Sequence, residues 1–142
     1  MRFLLDTDHI SVLQKQSGQE YAALMRRIAQ VPVDDLAFCI VSFHEQVLGC
    51  NAYIGSARTS RDIVRGYEMF DRVLSAFAAA LVLPFDTGAA AVFDGLAVQR
   101  LRIATMDLRI ASIALHRRSK LLTRNSRDFS RVPGLAIEDW TI

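Results

Sequence analysis

Four short apolar runs, at residues 2–5, 36–41, 81–85 and 121–123, are separated by segments whose apolar residues recur every three or four positions. Strands alternating with helices in this way call for a mainly parallel sheet, because a crossover helix is what returns the chain to begin the next strand in the same direction. Runs so uniformly apolar also read as strands buried on both faces. Between the first two, Tyr21, Leu24, Met25 and Ile28 repeat at helical spacing, and Pro32 closes the segment. Phe43, Val47, Cys50 and Ile54 then mark a helix that starts near Ser42 and is expected to end at Gly55. Thr59 can cap the next helix with Asp62 three residues on, and Ile63, Tyr67, Phe70, Leu74, Phe77 and Leu81 form its apolar stripe. Asp86 or Thr87 caps a helix through Phe93 and Leu96. Residues 101–105 connect to another helix opened by Asp107 and carrying Ile110, Ile113 and Ala114. Past Pro133 and Gly134, residues 135–137 suit a fifth strand at an edge. With 51% hydrophobic residues over 142 positions, one domain spanning 1–142 can bury its own core.

Composition narrows the chemistry. Cys39 and Cys50 stand in apolar surroundings without CxxC spacing, and no secretory leader pattern precedes them, so buried thiols in a reducing, cytoplasmic setting are expected. No apolar run approaches the roughly 18 residues of a membrane span. The net charge is only +2, yet Lys15 and Lys120 stand beside fifteen arginines. Arginine's planar fork suits phosphate. Arg100, Arg102 and Arg109 flank Asp107, and Arg117, Arg118, Arg124, Arg127 and Arg131 surround Asp128, a pattern that fits either a nucleic-acid partner or a solvated basic face.

Four acids stand where runs hand over to helices or loops: Asp6, Glu45, Asp107 and Asp128. In a parallel sheet, ligands bind beyond the carboxyl ends of the strands. Asp6 ends the first run, Glu45 follows the second and Asp128 follows the fourth, while an antiparallel helix would bring Asp107 to the same end. Each acid has a local explanation too. Ser42 and Glu45 spell an S-x-x-E capping box, Asp107 suits a cap or first helical turn, and Asp128 can start a turn. Asp6, straight after Phe3, Leu4 and Leu5, is the hardest to place as an ordinary surface charge. Gathered together, the acids would repel one another unless a cation or a raised pKa relieved them. Hard ions such as Mg2+ or Mn2+ accept one or two carboxylates plus waters and leave positions for substrate phosphate, whose displacement they assist electrostatically. His9, His44 and His116 share no ligand spacing and are expected to be structural. Thr7 and Thr123 can orient water or phosphate, or cap backbone groups. Trp140 is expected to anchor the C-terminal tail.

The segments LLDTDHIS, SFHEQVLG, DLRIASIAL and LLTRNSRDFSRVPGLAIEDW closely resemble the successive motifs of PIN-domain ribonucleases, specifically the VapC-type toxins of toxin-antitoxin modules. The resemblance runs from residue 2 to about 140, and T-x-N-x-x-D-F with the following V-P-G-L and E-D-W is its most specific part. It implies a PIN-like three-layer α/β/α domain with a mainly parallel sheet of four to five strands. It also implies a Mg2+- or Mn2+-dependent endoribonuclease that binds RNA, is blocked by a cognate antitoxin and forms a homodimer. By the same resemblance Asp6 and Asp107 bind metal, and Glu45 and Asp128 complete the catalytic acids. Asp8, Asn125, Thr123 and Arg124 are expected to support the site or bind substrate. Two departures stand out. Asp8 occupies a position where the family usually has asparagine, adding a carboxylate near the metal; and the fourth acid can be taken at Asp128 or at Asn125, with Asp128 preferred as the charged group.

Two other readings compete. A non-catalytic PIN-like scaffold that binds RNA or protein would leave the acids as structural groups. A HAD-like phosphatase would use Asp6-Thr7-Asp8 as a nucleophile motif, although position 10 is isoleucine and Lys120 would have to serve as its lysine.

Overall fold

The computed structural model describes residues 2–142. Five strands, β1 (Phe3–Leu5), β2 (Leu36–Cys39), β3 (Val82–Leu83), β4 (Lys120–Leu122) and β5 (Ile137–Glu138), form one sheet in the order β3-β2-β1-β4-β5. All pairings are parallel, with Leu4 beside both Ala37 and Leu121, Cys39 beside Leu83, and Leu122 beside Glu138. The fifth strand is present and parallel, beginning two positions later than its sequence signal and ending one later. The apolar runs overstate the others as well: pairing stops at Cys39 because the chain turns into a helix at Ile40, and β4 stops at Leu122.

Seven α-helices cover the sheet: α1 (Thr7–Lys15), α2 (Gln19–Ile28), α3 (Ile40–Ser56), α4 (Ser60–Ala78), α5 (Thr87–Ala97), α6 (Thr105–His116) and α7 (Ser126–Phe129). Strand periodicity divides the core in two. Leu4, Ala37, Cys39, Leu83 and Leu121 face Leu108, Ile110, Ile113 and Phe129 on one side of the sheet. Their neighbours Leu5, Phe38 and Leu122 face Ile10, Leu24, Val73, Phe77 and Trp140 on the other. Successive side chains of a strand point to opposite faces, so a sheet covered on both requires both sets to be apolar. The result is the expected α/β/α layering. Cys39 and Cys50 are buried free thiols. Among the described residues, no helix is long and apolar enough to cross a membrane.

Local signals explain several helix starts. Thr59 accepts a hydrogen bond from Asp62 N at 3.1 Å and Asp86 accepts one from Ala89 N at 3.0 Å, as side-chain caps should. Helix α1 has a side-chain cap in Asp6, which accepts from Thr7 N, but Thr7, His9, Ser11 and Val12 are weak helix formers, and the segment is held by burial of His9, Ile10 and Val12. The α4 stripe needs correcting. Gly66, Val73 and Phe77 are its buried positions, whereas Tyr67 and Leu74 are 58% and 63% exposed, and Leu81 lies beyond the helix end. The buried face runs through Gly66, Phe70, Val73 and Phe77, and Tyr67 and Leu74 each stand one position, about 100°, round the helix from Gly66 and Val73.

Candidate active site

Asp6 follows the last residue of β1 and caps α1, so it stands at the junction of strand and helix. Its amide donates to Leu122 O at 2.9 Å, tying it to the end of β4. One carboxylate oxygen accepts from Thr7 N at 2.8 Å and the other from the Thr123 hydroxyl at 2.7 Å. Only 5% of the residue is exposed. Burial, then the neighbouring Asp8, push its pKa up to about 7 against those two hydrogen bonds, and Asp107 adds to the rise.

Asp107 approaches from α6, in the first turn as its sequence context allowed. Its pKa rises to about 6, chiefly through desolvation and then through Glu45, Asp128 and Asp8 in turn. The acids from four separate segments therefore act on one another across a shared cleft.

Glu45 lies one turn further into α3 than an S-x-x-E capping box would put it. The helix starts at Ile40 with Cys39 as its cap residue, so Ser42 is already inside the first turn and fully buried. Glu45 is thereby released from capping. Its Oε1 accepts from the Thr7 hydroxyl at 2.8 Å, and Ser42 Oγ lies 2.9 Å from the same hydroxyl. Thr7 thus links the first acid's own turn to the second acid.

Asp128 belongs to α7, where Asn125 is the cap residue. Asn125 Oδ1 accepts from Asp128 N at 3.4 Å, and its Nδ2 donates to Asp128 Oδ2 at 3.1 Å. Arg131 donates to the other carboxylate oxygen at 3.0 Å and to Arg102 O at 2.6 Å, which ties α7 to the loop before α6. Both Asp128 oxygens are thus held, and Asn125 is occupied in holding one of them.

Asp8 is held similarly. Its Oδ2 accepts from Arg124 N at 2.9 Å and lies 3.3 Å from the Thr123 hydroxyl, whose shorter contact goes to Asp6. Its Oδ1 lies 2.7 Å from His9 Nδ1. The contribution of Arg124 to this arrangement is its main chain. Its side chain is exposed beside Lys15, at the edge of a shallow groove that Asp8 also lines.

His9 is the residue whose place the sequence did not reveal; as a lone histidine on an apolar helix face it carries no ligand spacing. His44, next to Glu45, is exposed and lines a small concavity with Phe85 and Arg109. His116 lies 3.6 Å from Asp86, on the cap of α5. Lys120 opens β4, at the end away from Thr123 and Asp6, and its ammonium pairs with Glu138 at 2.8 Å, which removes the lysine that a HAD-like reading needs. A concavity of about 680 Å³ between α1 and α4 is lined by Ile10, Leu13, Phe38 and Ala76 rather than by Asp6, Glu45, Asp107 or Asp128.

The residues suit a hard divalent ion. Among the described residues, no three His, Cys, Asp or Glu side chains are drawn close enough to enclose a metal by themselves. Mg2+ does not need such a cage, since it is commonly held by one or two carboxylates with waters completing the shell. Asp6 and Asp107 bear the largest cost of ionisation in the cleft, and a cation beside them would remove it.

A family model for the PIN domain matches residues 3–135. Several solved structures share the fold. VapBC2 from Rickettsia felis, bound to a DNA fragment from its promoter, is 21% identical with a TM-score of 0.73, over 99% of each chain. FitAcB from Neisseria gonorrhoeae is 22% identical with a TM-score of 0.70, over 97% of each chain. VapBC-1 from nontypeable Haemophilus influenzae is 24% identical with a TM-score of 0.67, over 100% of each chain. Comparison with curated protein sequences gives no significant match.

Proposed function

The chain belongs to the PIN-domain family, and we propose that it is a Mg2+- or Mn2+-dependent endoribonuclease serving as the toxin of a toxin-antitoxin pair. The observation that carries this reading is the convergence of acids from separate segments: Thr123 after β4 holds the buried Asp6 after β1, Thr7 reaches Glu45 after β2, and burial with the neighbouring acids raises Asp6 to about 7 and Asp107 to about 6. Asp6 and Asp107 would hold the ion. Bound there, it would polarise the scissile phosphate and offset charge on the leaving oxygen.

The remaining steps fall to side chains of this protein. Thr123 and Thr7 keep the Asp6 carboxylate fixed, so its position costs no reordering when substrate arrives. Glu45, half-buried and steadied by Thr7, is placed to accept a proton from the attacking water. The water oxygen bonds to phosphorus as the bond from phosphorus to the leaving ribose oxygen breaks, and that oxygen takes up a proton from solvent. Asp128, fixed by Asn125 and Arg131, contributes negative charge next to Asp107. Exposed Arg124 and Arg127 on the rim would hold flanking phosphates.

The antitoxin partner is supported by neighbours described as VapBC and toxin-antitoxin complexes. A cognate antitoxin would occupy the acidic cleft, and the toxin itself would be a homodimer in the cytoplasm. Purified protein freed of antitoxin and incubated with total cellular RNA and Mg2+ or Mn2+ should give discrete cuts that Asp6→Asn abolishes. Equal behaviour of the two proteins in cleavage, metal binding and growth inhibition would instead establish a non-catalytic scaffold.

A further inference from the structure

The segment around Trp140 is far from Asp6 and Asp8 in sequence but only one side chain away from Asp8 in space. Trp140 is buried against Phe3, with ring centroids 4.8 Å apart and Arg27 over its face at 4.9 Å. Its indole donates to Glu138 at 2.6 Å. The main-chain N–H of Trp140 donates to His9 Nε2 at 3.1 Å. A ring nitrogen that accepts has no proton, so a neutral imidazole here carries its proton on Nδ1. Nδ1 then donates to Asp8 Oδ1 at 2.7 Å. His9 has no exposed surface, and both of its nitrogens are used.

We propose that His9 is a positioning residue of the acidic cleft: the tail amide of Trp140 fixes its tautomer, and its Nδ1–H fixes the Asp8 carboxylate. Asp8 held this way presents Oδ2 to Arg124 N, which sets the turn after β4 where the Thr123 hydroxyl meets Asp6. The chain from the tail to the cleft is thus Trp140, His9, Asp8, Arg124 and Thr123. Asp8 has neither of its oxygens idle, and it acts by holding this turn. The catalytic part of the inference rests on the nuclease reading; the structural part does not.

Two substitutions separate the two halves of the imidazole. Asparagine carries its amide where Nδ1 sits and can keep the donor to Asp8; glutamine reaches the Nε2 position and can keep the acceptor for Trp140. His9→Asn is expected to retain most of kcat. His9→Gln is expected to lose kcat on the order of tenfold with KM for RNA unchanged, the scale of losing a group that orients an active-site ligand. In an Asp8→Ala background, His9→Gln should have no further effect. Amide hydrogen exchange provides a readout without RNA or metal: Arg124 N–H should stay protected in His9→Asn and exchange faster in His9→Gln. Equal losses in the two variants, or effects that simply add to Asp8→Ala, would overturn the proposal and leave His9 as packing. If wild type cuts no RNA with either ion, the nuclease reading fails alone, and Arg124 exchange still decides the role of His9. Should His9→Gln not fold, 15N spectra of the wild-type ring decide instead. A proton on Nδ1 supports the chain and one on Nε2 breaks it.

Discussion

At the scale of single residues, the cleft trades stability for charge. Asp6 has a folded pKa near 7 against an ordinary 3.8, so between those values the folded protein holds a proton that the unfolded chain has lost. Stability contributed by protonated Asp6 is complete below about 3.8 and is lost as pH rises to about 7; Asp107 repeats this with its upper limit near 6. Metal-free protein should therefore melt at a falling temperature from pH 4 to 7, measured calorimetrically, and Asp6→Asn should flatten the fall. At pH 8 the same variant should be more stable than wild type by a few kcal/mol, because each tenfold change in proton affinity on folding is worth about 1.4 kcal/mol. It should also lose RNA cleavage. Asp6 is legible because an acid straight after an apolar run has few routine explanations. His9 is not, since nothing local reveals that Trp140, 131 positions away, donates to it.

Among the elements, caps read well from sequence and phases do not. The Thr59 cap is a contact within four residues, and Thr59→Ala should cost about 1 kcal/mol in chemical denaturation without altering cleavage. The Ser42–Glu45 box has the same local form and fails, because the turn from β2 into α3 comes at Ile40, before the box begins. That shift frees Glu45 for Thr7. Helix α1 is illegible for the converse reason: its sequence is a poor helix, and the core around Ile10 and Val12 overrides propensity. The exposed Tyr67 and Leu74 show that periodicity alone gives a stripe but not its partner.

Over the whole molecule, the central place of β1 brings the acids together, since β2 and β4 flank it in parallel and deliver Glu45 and Thr123 to its carboxyl end. Leu121 lies in the central layer with no exposure, and Leu121→Ala should cost about 3 kcal/mol, read as a lower denaturant midpoint. Mg2+ should raise the melting temperature of wild type far more than that of Asp6→Asn, with about 2.7 kcal/mol expected at a hundredfold excess over Kd. The sequence by itself determined the alternation of strand and helix, the parallel sheet and the placing of Asp6 directly after the first apolar run, because these depend on local periodicity and on motifs a few residues long. Only the tertiary structure decided strand order, the release of Glu45 from its cap, and the hydrogen bonds that hold both oxygens of Asp8 and of Asp128. Those depend on which distant segments pack side by side, and packing is a property of the whole chain.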